Sequence, residues 1–161
     1  MTLGPIDSLL VSIDQAFDHG SWHGPNLAGS LRGVRARAAA WRPAPGRNSI
    51  WLLTVHSAYW KYRIHRLLTD APPRAFEKAG SNFFPAPEPE NATEDVWAED
   101  RALLGVWHRR LRGVVAAFDP ARLDQPSGRS GRSYRDLILG GAAHDLYHAG
   151  QIQLLKRLQD G

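Results

Sequence analysis

Four stretches of the chain repeat apolar residues at three- and four-residue intervals, the spacing of one face of an α-helix. The first runs from about Pro5 to Phe17, with its proline in the first helical turn. The second begins near Asn48 or Ser49, both good N-cap residues, and runs to about Thr69. These two patterns predict long amphipathic helices.

The other two helical patterns lie in the second half of the chain. One follows Thr93, a possible cap, and ends before Asp119-Pro120; the last runs from about Ser133 to Leu158. No stretch shows the two-residue alternation of a half-buried strand. The fold class predicted is therefore all-α, a four-helix bundle in one domain that spans residues 1–161.

The segments between these helices predict loops. Pro25 to Ala40 could hold a shorter helix, although Gly29 and Gly33 weaken that pattern. After Ala71-Pro72-Pro73 the chain is rich in proline as far as Asn91, which predicts a long interhelical loop. Because long connections permit crossovers, the order of the helices in the bundle stays open.

Composition limits the chemistry open to this chain. Its 161 residues include no cysteine, which excludes disulfides, Cys-ligated zinc and a Cys nucleophile. The net charge is +4, but the arginines are scattered and match no nucleic-acid-binding motif, so we expect no specific nucleic-acid partner. With no apolar run of membrane-spanning length and no visible secretory signal, we expect a cytoplasmic protein without a membrane partner.

Histidines are the residues that carry chemical information. His144 and His148 lie four residues apart in the last helix, so their rings point the same way and can reach one ion. They lie on the apolar stripe of that helix, which is formed by Leu137, Gly141, Ile152 and Leu155. Gly140 and Gly141 cost roughly 1 kcal/mol each against alanine in a helix interior. Such a cost predicts the close approach of another backbone.

His56 adds a third histidine from a different helix. It lies on a stripe whose other members are apolar and are expected to face the core: Leu53, Trp60, Ile64 and Leu67. A buried imidazole without a partner costs roughly 1–3 kcal/mol. A metal ion shared with His144 and His148 would satisfy it, and so would a hydrogen bond.

The remaining histidines fit a metal site less well. His65 falls about 180° around the helix from His56 and is excluded. His19 and His23 repeat the four-residue spacing, but glycine and proline break the helix there. His108 lies at the edge of an apolar face, where a surface or satisfied core histidine is the simpler interpretation.

Three neutral imidazoles with one open position is the pattern of catalytic zinc, and imidazole also suits nickel, copper and iron. With no carboxylate ligand the ion keeps its full charge and would favour hydroxide, thiolate or another anion. Each ring needs an acceptor for its second N–H. Asp145, Tyr59, Gln151 and main-chain carbonyls are the candidates.

The motif that begins at His56, His-Ser-Ala-Tyr-Trp, and the C-terminal His-Asp-Leu-Tyr-His-Ala-Gly-Gln-Ile resemble those of the DinB/YfiT-like metalloenzymes. The resemblance spans most of the chain and implies a four-helix bundle. It implies that His56, His144 and His148 hold a divalent metal, often zinc or nickel. Some members of that family are transferases or isomerases that use bacillithiol, mycothiol or glutathione.

Three functions follow as hypotheses, with no catalytic residue identified. The first is metal-dependent transfer of a low-molecular-weight thiol to a small electrophile. The second is hydrolysis of a small molecule by hydroxide bound to a metal at the three histidines. His144-Asp145-x-x-His148 resembles the zincin His-Glu-x-x-His motif, but Asp is one carbon shorter than Glu, and a peptidase of that kind is not expected. The third is a non-enzymatic metal-binding or stress-related bundle. A homodimer through exposed helix faces is compatible with all three.

Overall fold

The structure, a computed structural model, describes residues 3–69, 72, 74–128 and 131–160. Its helices are α1 (Pro5–Phe17), α2 (Leu27–Ser30), α3 (Ala36–Ala40), α4 (Ile50–Leu68), α5 (Glu94–Ala116) and α6 (Tyr134–Asp160), with 3-10 turns at Pro89–Asn91 and Pro120–Arg122. No strand occurs among the described residues, which confirms the all-α prediction. No helix within them has the length and apolar character needed to cross a bilayer.

The ends of the long helices follow the predicted signals closely. Ser49 is the N-cap of α4, where its hydroxyl accepts a hydrogen bond from the amide of Leu52 at 3.1 Å. Thr93 occupies the N-cap position of α5 but makes no side-chain capping bond. Ala71 and Pro73, part of the predicted stop signal after α4, lie outside the described residues.

The predicted helix between Pro25 and Ala40 is two short helices, α2 and α3. Gly33 separates them with a φ of +75°, a left-handed conformation that a helix cannot include. Asn26 caps α2 by accepting a hydrogen bond from the amide of Gly29 at 2.8 Å. Asn26 therefore fixes where α2 begins, and Gly33 separates α2 from α3.

The four long helices form a ring in which α4 packs against α5 and α6, and α1 packs against the same two helices. Side-chain contacts give the directions. Trp51 lies against Trp97 and Tyr62 against Trp107, so α4 and α5 are parallel.

On its other side α4 runs antiparallel to α6. Lys61 pairs with Asp145, and the next turn of α4 places Ile64 at the earlier residue Gly141. Helix α1 is antiparallel to α5. Phe17 contacts His108, and Asp14, one turn earlier in α1, pairs with Arg112, one turn later in α5. The order is up–down–down–up, and the long segment between α4 and α5 is the crossover that two parallel neighbours require.

All four apolar neighbours of His56 on its stripe were expected to face the core, but two of them do not. Leu53 and Ile64 are buried, but Trp60 is 38% exposed and Leu67 is 42% exposed. At 100° per residue, Leu53 and Ile64 lie about 20° apart on one side of this stripe, and Trp60 and Leu67 lie about 20° apart on its other side. Trp60 and Leu67 therefore line an open groove between α4 and α6 instead of the interior.

The paired glycines of α6 also differ from the prediction. A Cβ on Gly141 would lie 2.9 Å from Cδ1 of Ile64, whereas a Cβ on Gly140 would meet no atom within 4 Å. The close neighbour of Gly141 is therefore a side chain rather than another backbone. Gly140 lies at an open, exposed position of the helix.

Candidate metal centre

Three histidine side chains converge where α4 faces α6. The Nε2 atom of His144 lies 3.1 Å from Nε2 of His56 and 3.0 Å from Nε2 of His148. One ligand atom from each residue lies within 4.8 Å of the other two. In a tetrahedral zinc site with Zn–N bonds of about 2.05 Å, the nitrogens would be about 3.3 Å apart. The cluster is close to that spacing.

Hydrogen bonds on the far side of two rings fix where their protons lie. Nδ1 of His56 donates to the main-chain oxygen of Asn82 at 2.7 Å, and Nδ1 of His148 donates to Oε1 of Gln151 at 2.7 Å. Both partners are carbonyl oxygens, which only accept. In the neutral rings the Nε2 atoms of His56 and His148 therefore carry unprotonated lone pairs.

The chemistry of this donor set fits a divalent ion. Two lone pairs point at the Nε2 atom of His144, and a proton on that nitrogen could satisfy only one of them well. A divalent cation accepts all three nitrogens, and the outer hydrogen bonds match the support that metal-binding histidines usually receive. The cluster is therefore compatible with metal binding.

Burial keeps the three rings in the neutral form that binds metals. It lowers the pKa of His144 to about 3, with smaller effects from the nearby His148 and His56. Burial also lowers the pKa of His148 to about 4, against the opposing effect of its bond to Gln151. The pKa of His56 is lowered by burial as well. At neutral pH all three rings are uncharged.

The loop before Pro89 supports His56 in a way that the sequence did not reveal. Asn82 adopts a left-handed conformation with φ +63°, which asparagine tolerates better than most residues. Its main-chain oxygen binds His56, and its side-chain oxygen accepts a hydrogen bond from Nε1 of Trp60 at 3.1 Å. The ring of Phe83 stacks on His56 with centroids 4.2 Å apart. A main-chain acceptor leaves no residue-type signal in a sequence.

Among the predicted partners of the rings, Gln151 and a main-chain carbonyl are confirmed. Asp145 and Tyr59 are not. Asp145 forms a buried ion pair with Lys61, because it lies about 100° around α6 from His144 and faces the bundle interior. The hydroxyl of Tyr59 instead accepts a hydrogen bond from Arg63 at 3.0 Å.

The histidines that the sequence set aside lie outside the cluster. His108 is buried with its ring stacked 3.7 Å from the ring of Phe17. His65 packs against Trp107 on the side of α4 that faces α5. His19 and His23 are exposed in the loop after α1.

A cavity of about 430 Å³ opens beside two of the three histidines, His56 and His144. Its walls are mainly apolar, with Trp60, Ile64 and Leu67 on the α4 side. Three charged residues also line it: Arg63, Arg132 and Asp136. A small molecule with an apolar body could therefore be held next to the imidazole nitrogens.

Comparison with known proteins identifies a family. A family model described as the DinB superfamily matches residues 21–152. No curated protein and no solved structure matches the chain. The matched segment includes α4, α5 and α6 as far as residue 152, and therefore all three histidines of the cluster.

Proposed function

The chain belongs to the DinB superfamily, and from this membership and the three-histidine cluster we propose that it is a metal-dependent thiol transferase. In this proposal His56, His144 and His148 hold one divalent ion, with zinc or nickel as the first candidates. The reaction joins a low-molecular-weight thiol to a small electrophile. The new bond is carbon–sulfur, a leaving group such as chloride departs with the carbon–halogen electron pair, and the thiol proton passes to solvent.

The observation that carries the proposal is the convergence of three neutral imidazoles beside an apolar cavity. A divalent ion held there supplies Lewis acidity, which lowers the pKa of a coordinating thiol. Asn82 and Gln151 hold the rings of His56 and His148 in orientation through their Nδ1 protons. Trp60 and Leu67 would offer apolar surface to the body of an electrophile in the cavity.

The position of Asp145 argues against the zincin-like alternative. A hydrolase of that kind needs a carboxylate that reaches a water molecule beside the histidines. Asp145 is 1% exposed and pairs with Lys61 inside the bundle, and it does not line the cavity. It is therefore not placed to act as a general base there. A thiol transferase needs no such carboxylate, because an acidified thiol is already a nucleophile.

The first test is metal content. Protein purified without a histidine tag should contain about one divalent ion per chain, and His56→Ala and His148→Ala should lose it. His19→Ala and His23→Ala are matched controls, because these exposed histidines have the same four-residue spacing and should keep full metal content. Equal metal content in all five proteins would contradict the proposed site.

The second test is conjugation. Metal-loaded protein is incubated with monochlorobimane and one thiol at a time, which is bacillithiol, mycothiol or glutathione. The fluorescent conjugate is measured in each reaction. We expect one thiol to react well above the uncatalysed rate, with loss of that rate in His56→Ala. A full complement of metal without conjugation by any of the three thiols would contradict the transferase and favour a metal-binding protein without this activity.

A further inference from the structure

A second cleft, of about 490 Å³, lies beside the cavity of the candidate metal centre. It is formed by α4 and by the segment from Arg74 to Gly80, which precedes Asn82 in the same loop. Arg63 lines both the cleft and the cavity. The two spaces therefore meet at one side chain.

The cleft is strongly cationic. Arg63, Arg66, Arg74 and Lys78 line it, and no acidic residue is among its described lining residues. Lys78 is already paired with Asp100 at 2.8 Å. The three arginines are exposed, and none of them has a carboxylate partner within the part of the chain that the structure describes. Their charge is therefore available to a ligand.

Two tyrosines hold two of these arginines against α4. The hydroxyl of Tyr59 accepts a hydrogen bond from Arg63 at 3.0 Å, and that of Tyr62 accepts one from Arg66 at 3.1 Å. Both tyrosines are buried, so they are fixed points for these guanidinium groups. Because a guanidinium has five N–H donors, each arginine keeps donors for an anion after this bond.

The spacing of residues along α4 sets the length of a ligand that would reach both the histidine cluster and the arginines of the cleft. Arg63 follows His56 by seven residues, which is about 10 Å along the helix and only about 20° around it. Arg66 lies about 15 Å along from His56 and about 80° around, towards the cleft. A molecule of tripeptide length can therefore reach the histidines with one end and the arginines with the other.

We propose that this cleft, defined by Arg63, Arg66 and Arg74, binds the carboxylate end of the thiol cosubstrate. The ligand is then an extended thiol with one or more carboxylates, whose sulfur reaches the histidine cluster. The planar guanidinium group matches a carboxylate with two parallel hydrogen bonds, and this geometry favours an anionic thiol over an uncharged one. The identity of the ligand as a thiol rests on the proposed function, whereas the anion site rests only on the cleft.

The first experiment measures the anion site without metal and without a free thiol. S-methylglutathione, which retains both carboxylates, and its diethyl ester are titrated into metal-free protein by calorimetry. We expect the acid to bind about tenfold more tightly than the ester, with the difference shrinking as salt is raised. Arg66→Gln and Arg74→Gln should weaken binding of the acid severalfold and leave the ester unchanged. Arg37→Gln, an exposed arginine of α3 away from the cleft, is the matched control.

The second experiment connects the cleft to the histidines. Cobalt(II)-loaded protein is titrated with glutathione and with glutathione diethyl ester, and the sulfur-to-cobalt absorption band reports the binding of sulfur at the ion. The band should appear at about tenfold lower concentrations of glutathione than of the ester, and Arg66→Gln should shrink that difference severalfold.

The outcomes separate this proposal from the proposed function. Equal affinity for acid and ester, or no binding of either, overturns the anion cleft even where metal binding and conjugation succeed. Charge-dependent binding of S-methylglutathione by a protein that takes up no metal in the metal-content test supports the cleft and contradicts the transferase.

Discussion

Lys61 and Asp145 form an ion pair inside the bundle, with 4% and 2% of their side chains exposed. The pair joins α4 to α6 beside the histidine cluster, and the Lys61 ammonium also lies 4.9 Å from the centre of the Phe17 ring. Oδ1 of Asp145 has no hydrogen-bond partner among the described residues. Burial raises the pKa of Asp145, while Lys61 opposes that change. Two helices that carry the candidate ligands are therefore held together by buried charges.

Removal of one member of this pair should destabilise the protein strongly. Asp145→Ala leaves the Lys61 ammonium buried without its counter-ion, and we expect a loss of about 3–5 kcal/mol in the free energy of unfolding. Replacing both residues with apolar ones, Lys61→Met with Asp145→Leu, should recover most of that loss because no charge stays buried. Urea unfolding of the metal-free proteins measures both effects. A double variant as unstable as Asp145→Ala would contradict this explanation.

The hydrogen bond from His148 to Gln151 should matter for metal affinity. In Gln151→Ala the Nδ1 proton of His148 loses its acceptor, so the ring is less well oriented and less basic. We expect metal affinity to fall about 10–100-fold, measured by competition with a chromophoric chelator. Gln153→Ala is the matched control, since this half-buried glutamine on α6 contacts none of the three histidines through a hydrogen bond. Equal affinities of the two variants would show that the bond has no such role.

His108 should make the stability of the protein depend on pH. Its pKa is lowered to about 3, mainly by burial and then by Lys61, against the opposing effects of Asp18 and Asp14. Because the folded pKa lies below the unfolded value of about 6.5, the stabilisation is complete above pH 6.5 and is lost as the pH falls towards 3.

Between pH 7 and pH 5 this histidine should cost the wild-type protein about 2 kcal/mol of unfolding free energy. His108→Gln stays neutral across that range and should lack this part of the pH dependence. Urea unfolding of both proteins in the metal-free form at the two pH values gives the difference, and the three histidines of the cluster contribute equally to each. Identical pH dependence would rule out His108 as a source.

The two neighbouring glycines of α6 should respond differently to alanine. Gly140→Ala places a methyl group in open space and gains helix propensity, so we expect about 1 kcal/mol of stabilisation and a Tm increase of about 2–4 °C. In Gly141→Ala the new methyl group forces Cδ1 of Ile64 to move, which offsets that gain. Thermal unfolding of the two variants compares them directly. A Gly141→Ala variant as stable as Gly140→Ala would show that Ile64 moves without cost.

The fold could be predicted largely from local patterns. Apolar residues at helical spacing identified all four long helices, because burial of one face is what stabilises a helix in a small protein. The short α2 and α3 were harder to predict, since the decisive feature is the conformation of Gly33 rather than apolar spacing. The direction of each helix was also not predictable. The same faces can pair in more than one order, and the choice depends on contacts such as Trp51 with Trp97.

For the candidate site, the sequence by itself determined which histidines could act together. The spacing of His144 and His148 follows from helix geometry, and an apolar stripe placed His56 near the interior. Only the tertiary structure decided which atoms support those rings and where the neighbouring charges lie. The main-chain oxygen of Asn82 and the pairing of Asp145 with Lys61 depend on segments far apart in the chain. Contacts of that kind form when packed helices and loops meet, and residue type and spacing do not encode them locally.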